Sequence, residues 1–262
     1  MNRPLFLFML CLMLSACIQL PADDIPSPPR APAFILPDSA AKLPSAPVYR
    51  PAKRNRESYF DAQGEPSAEA VGGGFFRRLL GKTEEGAAVV QDFYQDSQTP
   101  YTLPFVLNDA EDWHKFRADP QPAALFYPDG TLYMVSDSHN NNQRNETWFF
   151  RDKKPLAHIR ENPTHTAGQI RFFNRQGQMI ASAEISPQQR NLSLFYPHGM
   201  AMLHIQDTPD HSLRQAWDNS GKPLLPIDIS SEINRVSADI RTILRDINRP
   251  DDALMLTALL KP

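Results

Sequence analysis

The sequence predicts a mainly β protein: an array of antiparallel β-hairpin repeats, with a C-terminal capping helix and a disordered N-terminal tether. Three patterns support this fold class. Aromatic doublets recur at nearly constant spacing in the second half, prolines crowd the segment before it, and isoleucines follow a helical period near the C-terminus. Together these patterns divide the chain into consecutive structural units.

Composition limits the classes of partner. The chain has 262 residues, with 27 Lys and Arg against 30 Asp and Glu, and a formal net charge of −3. A broad electrostatic grip on nucleic acid requires a basic surface, so no nucleic-acid partner is expected. The 25 prolines are nearly twice an average share, whereas the 11 glycines argue against a Gly-rich linker protein.

The N-terminus has the organisation of an export signal. Arg3 gives a positive start, and residues 5–14 form an apolar run that is too short to cross a bilayer. The sequence Leu14-Ser15-Ala16-Cys17 follows, and it resembles the lipobox of bacterial lipoproteins. The resemblance implies cleavage before Cys17 and attachment of a lipid to its sulfur. The alternative is an ordinary secretory signal with a coincidental cysteine.

The cysteine count agrees with lipidation. The chain has two cysteines; Cys11 would leave with the signal peptide and Cys17 would carry the lipid, so that no free thiol remains. Ile18 rather than Asp follows Cys17, and the lipoprotein resemblance then implies transport to the outer membrane. The membrane is therefore an expected partner, through the lipid on Cys17, with the domain facing the periplasm or the cell surface.

The segment after Cys17 is rich in proline, with ten prolines between residues 18 and 66. Proline removes a backbone donor and fixes φ, so neither a sheet nor a long helix is expected here. We interpret 17–100 as a largely disordered tether, fifty residues of which could extend on the order of 150 Å. Residues 84–96 are expected to form a helix. The basic segment 50–56 is either a solvated linker or a contact for anionic lipid phosphates.

An aromatic pair recurs about every 23 residues in the second half, and a turn-forming sequence follows it. Phe126-Tyr127, for example, precedes Pro128-Asp129-Gly130. Aromatic residues favour strands, and Pro and Gly favour the turn, so each unit is predicted to be a β-hairpin. One hairpin cannot bury its own apolar face, whereas several side by side can. The pairs begin at residues 126, 149, 172, 195 and 216, at intervals of 23, 23, 23 and 21.

The sequence over 126–132 resembles the MORN-type repeat, in the bacterial variant found in YwqK-like proteins. Residues 195–199 and 217–224 fit the same pattern less closely, and the resemblance covers 120–225. It implies a single layer of antiparallel hairpins, often closed by a helix, and no enzymatic chemistry. The chain departs from the pattern because its middle copies lack a Gly at one or more sites and its connecting loops are longer and more polar.

The aromatic side chains of the repeats are the candidate binding residues. In one interpretation they are core residues of the sheet, and in the other some of them form an exposed ladder for a partner. The candidate set is Phe126, Tyr127, Trp148, Phe149, Phe150, Phe172, Phe173, Phe195, Tyr196 and Trp217.

Six apolar residues near the C-terminus are spaced 4, 3, 4, 3 and 4 positions apart, the period of an apolar helical seam. A helix is predicted over 231–248, with Ser230 or Ser231 as its N-cap. We expect it to dock on the open end of the array over an edge strand, with self-association as the alternative. A short second helix is expected over 251–260. The seam consists of Ile229, Ile233, Val236, Ile240, Ile243 and Ile247.

The sequence contains no familiar catalytic motif: no Gly-x-Ser-x-Gly, His-Glu-x-x-His, phosphate loop or dinucleotide fingerprint. The closest histidines, His198, His204 and His211, have spacings of six and seven, which match neither a zinc finger nor one helical face. The chain is therefore expected not to be an enzyme, with no catalytic residue, no metal site and no cofactor.

These observations predict an outer-membrane-anchored lipoprotein that acts as a non-catalytic protein–protein interaction or scaffold module of the cell envelope. Its expected partner, besides the membrane, is an unidentified envelope protein. Three other functions stay open: an antitoxin or immunity-like protein, an envelope hydrolase, and a protein that binds lipid or glycan. The expected units are a signal peptide over 1–16, a lipidated tether over 17–100, the hairpin repeat domain over 101–228 and the helical cap over 229–262.

Overall fold

Over the residues that the structure describes, the fold consists of two antiparallel β-sheets and one α-helix, which confirms the mainly β class. The computed structural model describes residues 27–37, 43–107, 109–116, 124–136, 144–162, 164 and 166–247. The helix, α1, spans Ser230–Asp246. The strands are β1 (Arg50–Pro51), β2 (Glu57–Phe60), β3 (Pro66–Ser67), β4 (Phe75–Lys82), β5 (Ala88–Tyr94), β6 (Phe105–Val106), β7 (Ala124–Phe126), β8 (Leu132–Ser136), β9 (Arg144–Phe149), β10 (Pro155–Glu161), β11 (Gly168–Phe173), β12 (Met179–Ile185), β13 (Arg190–Phe195), β14 (Ala201–Asp207), β15 (Ser212–Trp217) and β16 (Pro223–Leu224).

Strands β1–β6 form a small sheet, and this sheet corrects the tether prediction for residues 50–100. Its order is β3-β2-β4-β5-β6, with β1 beside β4. The prolines do not prevent the sheet, because Pro51 ends β1 and Pro66 begins β3, where a missing donor is tolerated. The helix expected over 84–96 is also wrong. Val90 and Phe93 instead lie in β5 and pair with β4, as β-branched and aromatic side chains favour.

A buried ion pair joins the two central strands of the small sheet. The guanidinium of Arg77 in β4 donates to both carboxylate oxygens of Asp92 in β5, at 2.7 and 2.9 Å. Both side chains are withdrawn from solvent, with 0% and 2% exposed. Arg77 Nη1 also donates to the carbonyls of Asp112 and Lys115, at 2.7 and 3.0 Å. The pair therefore holds the short 3-10 helix Ala110–His114 against the sheet.

Strands β7–β16 form the large sheet, a meander in which each strand lies beside its sequence neighbours. This arrangement confirms the predicted array of antiparallel hairpins. The small sheet leads directly into it, because the chain after β5 pairs with β7. The N–H of Leu103 donates to the carbonyl of Ala124 at 3.2 Å, and the N–H of Phe126 donates to the carbonyl of Tyr101 at 2.8 Å. The outer edge of β7 is therefore covered.

The five hairpins share one turn geometry. In each, the last residue of the first strand pairs with the residue six positions later, as Phe126 does with Leu132. The structural repeat therefore has intervals of 23, 24, 22 and 22 residues, and the alignment by aromatic doublets is one residue out of register at Phe172 and Ala216. Turn geometry, not aromaticity, decides which residues are equivalent. The equivalent strand ends are Phe126, Phe149, Phe173, Phe195 and Trp217.

Each turn contains one residue in the left-handed conformation. In four turns this residue is a glycine with φ between +80° and +87° (Gly130, Gly177, Gly199 and Gly221). In the second turn it is Lys153, with φ of +65°. The backbone keeps the common turn although an L side chain disfavours this region. The second repeat therefore carries a strained residue where the others carry glycine.

Helix α1 lies across one face of the large sheet. Its seam is buried against the sheet together with Trp148, Ile159 and Phe172, and the helix contacts the central strand β12. The expectation that the helix covers an edge strand is therefore wrong, and the seam is not available for self-association. The broad face offers far more apolar surface than a two-residue edge strand such as β16.

The start of α1 also differs from the prediction. The N-cap is Ile229, which makes no side-chain capping hydrogen bond. Neither Ser230 nor Ser231 caps the helix, because the 3-10 helix Pro226–Ile229 runs directly into it. The second helix expected over 251–260 lies outside the described residues.

Residues 27–37, which we call the strap, cross the face of the large sheet opposite α1. The N–H of Ala31 donates to the carbonyl of Gly199 at 2.7 Å, and the N–H of Ala201 donates to the carbonyl of Pro29 at 2.9 Å. The ring of Phe34 packs 4.8 Å from that of Phe173. This part of the predicted tether is therefore bound to the folded domain. The apolar cluster that the strap covers consists of Phe173, Met179, Phe195, Ala201 and Trp217.

Candidate functional site

The aromatic residues singled out in the sequence serve mainly as core. Phe172 and Phe173 point to opposite faces, because Phe172 packs in the cluster with α1 whereas Phe173 packs under the strap. These burials do not fit an exposed aromatic ladder. Trp148, Phe149, Phe172, Phe173, Phe195 and Trp217 are all at most 4% exposed.

The remaining candidates are half-buried at the turns and link neighbouring repeats. The hydroxyl of Tyr127 donates to the carbonyl of Phe149 at 2.8 Å, and that of Tyr196 donates to the carbonyl of Trp217 at 3.0 Å. Burial raises the pKa of both tyrosines. Phe126 and Phe150 are also half-buried, and the guanidinium of Arg175 lies 5.3 Å from the ring of Phe150. Cys17, the predicted lipidation site, lies outside the described residues.

A second feature of the large sheet is a row of polar side chains on the face that carries the strap. Cross-strand register places these residues side by side on seven consecutive strands, from β9 to β15. We call this row the polar rung. It consists of Thr147, His158, Arg171, Ser182, Ser193, His204 and Gln215.

Hydroxyl groups pair with both imidazoles of the polar rung. Thr147 Oγ1 lies 3.2 Å from Nδ1 of His158, and Ser193 Oγ lies 2.9 Å from Nδ1 of His204. The Ser193–His204 pair resembles a nucleophile and its base, but no carboxylate among the described residues hydrogen-bonds to the imidazole of His204. The two hydroxyl–imidazole pairs therefore supply hydrogen bonds, but the described residues provide no carboxylate that orients the imidazole of His204.

Electrostatics keep the histidines of the polar rung neutral. Burial, together with the charges of Arg171 and Arg160, lowers the pKa of His158 from 6.5 to about 4. Burial alone lowers the pKa of His204. The guanidinium of Arg171 stays charged, since arginine is not deprotonated in proteins. At neutral pH the positive charge on this part of the face therefore comes from arginine.

A second row of polar side chains lies on the same face. It is two residues further along each strand, on the side away from the turns that contain a left-handed residue. Register places Asn145, Arg160, Gln169, Glu184, Asn191 and Gln206 side by side across six strands, and we call them the outer rung. Four neighbouring members line a groove of about 450 Å³. These four are Arg160, Gln169, Glu184 and Asn191. Residues 161–162, 167–168, 185–186 and 189, near the ends of the same strands, supply the remaining walls.

Several polar groups of the groove region lack partners. The side chains of Arg160, Gln169 and Glu184 make no hydrogen bond or ion pair with the described part of the chain. Nε of Arg171 and Oδ1 of Asn145 are buried and likewise have no hydrogen-bond partner within it. The two buried atoms are costly to folding, whereas the side chains of Arg160 and Glu184 are exposed and available to a partner. The concentration of these polar groups around Arg160 makes the groove the candidate functional site.

Sequence reasoning missed this site, although a signal was present. In β10 to β14 polar residues alternate with apolar ones, as in His158-Ile159-Arg160 and Gln169-Ile170-Arg171. The alternation marks one polar face for every strand. Metal and catalytic spacings of the histidines do not reveal the row, because strand register and not sequence distance decides which residues are neighbours in a sheet.

The described residues contain no group of His, Cys, Asp or Glu arranged to hold a metal ion. Within the same ranges, no helix is both long and apolar enough to cross a bilayer. No protein-family model matches the chain, and no curated protein matches it significantly. The resemblances to bacterial lipoproteins and to MORN-type repeats therefore stay predictions.

Proposed function

We propose that the chain is an outer-membrane lipoprotein, anchored through Cys17, that acts as a non-catalytic protein–protein interaction module of the cell envelope. The open part of the strap-bearing face, around the groove, is its binding surface. The observation that carries the binding role is a groove lined by Arg160, Gln169 and Glu184, whose side chains have no partner in the described part of the chain, next to the buried and unpartnered atoms of Arg171 and Asn145.

The anchor and the surface act together in this proposal. The lipid confines the domain to one membrane, and confinement raises its effective concentration near other membrane-bound proteins. The helix-bearing face is closed by α1, whereas the groove side of the opposite face is open. Among the described residues, the fold therefore leaves the groove side of this sheet face uncovered for a partner.

The anchor is tested by metabolic labelling with a palmitate analogue. We expect label on the wild-type chain, none on Cys17→Ala, and release of the variant from the outer membrane. Membrane retention of an unlabelled Cys17→Ala variant contradicts the lipid anchor.

The binding surface is tested in living cells with a photo-crosslinking amino acid. Placed at Gln169 in the groove, it should give discrete adducts with envelope proteins. Placed at Arg241, on the exposed side of α1, it should give none of the same adducts. Identical patterns at the two positions contradict the proposed surface.

A further inference from the structure

The outer rung shows an ordered sequence of charge along the groove. Arg160, Gln169 and Glu184 come from three consecutive strands and present a cation, an amide and a carboxylate. Neighbouring strands lie about 4.8 Å apart, so the charges stand about 10 Å apart across the sheet. They do not neutralise one another, because no ion pair joins them within the described residues.

We propose that this groove binds an extended peptide segment of the partner, in which an acidic side chain contacts Arg160 and a basic side chain contacts Glu184. The inference rests on the proposed interaction function and names the chemistry of its partner. Arg160 is exposed, and a guanidinium can hold a carboxylate through two parallel hydrogen bonds.

The surroundings of Arg160 strengthen its attraction for an anion. Arg171 lies diagonally across from it in one direction, and Glu184 lies diagonally across from Arg171 in the other and offsets only part of the charge of its guanidinium. Two arginines at diagonal positions repel each other, which weakens the fold. Asn145, the direct neighbour of Arg160 in β9, has a buried carbonyl oxygen without a partner. An incoming carboxylate that contacts Arg160 relieves the repulsion between the two arginines.

The fold itself favours a peptide over other anions. The strap is already an extended segment that crosses the strands of this face at the end near the turns, held by backbone hydrogen bonds and by Phe34. The groove lies at the other end of the same strands. The side chain of Gln169, with a donor and an acceptor in one group, matches the backbone amides of a second crossing segment.

The spacing predicts where the two charges lie in the ligand. In an extended peptide, side chains two positions apart point the same way and stand about 7 Å apart. Long Glu and Lys side chains extend this separation to the distance between Arg160 and Glu184. The fitting segment therefore has an acidic residue and a basic residue two positions apart.

The test uses the full-length protein, solubilised in detergent, and fluorescence polarisation of a labelled peptide, Gly-Ser-Glu-Ser-Lys-Ser-Gly. We expect saturable binding in the millimolar range or tighter. The peptide with Gln in place of Glu should bind about tenfold more weakly, as for loss of a charged hydrogen-bonded pair. Arg160→Gln should abolish this difference between the two peptides, and Arg241→Gln should leave it unchanged.

A charge exchange separates direct contact from an indirect effect. Arg160→Glu should bind the original peptide poorly and should recover affinity for the peptide in which Lys replaces Glu. Circular dichroism of each variant confirms that it is folded.

Three results overturn the proposal: no saturable binding, equal binding of the Glu and Gln peptides to the wild type, or no recovery in the charge exchange. Binding of a galacturonate trisaccharide with no binding of the peptide also overturns it, in favour of an acidic glycan. All these measurements are made in solution, so failure of the lipid anchor is recognised separately by the palmitate labelling.

Discussion

The two sheets of this protein are stabilised in different ways. The large sheet repeats one hairpin five times, so that each hairpin pairs edge to edge with its neighbours, and α1 and the strap pack on its two faces. The small sheet has no repeat, and its centre contains the Arg77–Asp92 ion pair. Each repeat adds a similar contribution to the stability of the large sheet. The stability of the small sheet instead depends on the Arg77–Asp92 ion pair, and every partner in that network must be present.

The first prediction concerns this dependence and has the largest expected effect. Arg77→Ala should lower the free energy of unfolding by about 4 kcal/mol, because it leaves the Asp92 carboxyl buried without its partner. Burial raises the pKa of Asp92, and the hydrogen bonds from Arg77 oppose that rise. Urea denaturation measures the loss.

Hydrogen exchange shows whether this loss is local. Exchange should become faster over 75–116 and stay nearly unchanged over 144–217. Arg77→Lys, which keeps the charge but not the forked geometry, should give an intermediate loss. Equal acceleration in both sheets would mean that the sheets unfold as one unit, and the contrast between them would disappear.

The second prediction concerns the closure of the large sheet by α1. Ile240 is 2% exposed in the seam, and Ile240→Ala should destabilise the protein by about 3 to 4 kcal/mol through lost burial and a cavity. Arg241→Ala, one position further on the exposed side, should change stability by less than about 0.5 kcal/mol. Thermal unfolding of the two variants measures the difference. Similar effects at both positions contradict the docking of α1 on the sheet face.

The third prediction is a pH dependence that arises on the strap-bearing face. The pKa of His158 falls from 6.5 to about 4 in the folded protein, so the unfolded chain binds a proton more readily. The stability contribution of neutral His158 is therefore complete above pH 6.5 and is lost as the pH falls from 6.5 towards 4. The loss amounts to about 3 kcal/mol.

Urea denaturation at several pH values measures this contribution. His158→Gln should reduce the slope of stability against pH in this window, whereas His211→Gln, at an exposed loop position, should keep it. If the slope of stability against pH in His158→Gln equals that of the wild type, groups other than His158 cause the sensitivity to acid.

The smallest predicted effect distinguishes one repeat from the others. Lys153 occupies the left-handed turn position that is glycine in the other four hairpins. Lys153→Gly should therefore raise stability by about 0.5 to 1 kcal/mol, and Gly177→Lys should lower it by about 1 to 2 kcal/mol. Chemical denaturation of both variants provides the comparison. Destabilisation by Lys153→Gly would show that the side chain of Lys153 contributes more than the strain costs.

The difference between the sheets also explains what the sequence could predict. The hairpins of the large sheet could be recognised because each copy repeats a strand, a turn and a strand within about 23 residues. The copies could not be aligned to the residue, since Phe172 and Phe173 are both aromatic and only the turn shows that Phe173 is equivalent to Phe149. The seam of α1 was visible in its period, but its docking site was not, because a period gives no partner.

The small sheet could not be predicted, because its information is spread over distant residues. Arg77 pairs with Asp92 and also with carbonyls around residue 112, and no local pattern connects these positions. Prolines pointed to an open chain, although Pro51 and Pro66 stand at strand ends and Pro29 lies in the strap that is bound to the large sheet. The groove was missed for a related reason: Arg160, Gln169 and Glu184 become neighbours only when the register of three strands is known.

The strap has a consequence for the proposed membrane anchor. Eleven residues lie between Cys17 and Pro29, the first strap residue with a backbone hydrogen bond to the sheet. Even a fully extended chain of this length covers only about 40 Å. With a lipid on Cys17, the corner of the sheet near Gly199 stays within about one membrane thickness of the bilayer surface. Soluble proteins deeper in the periplasm then lie beyond its reach, and its partners are molecules that come to the membrane.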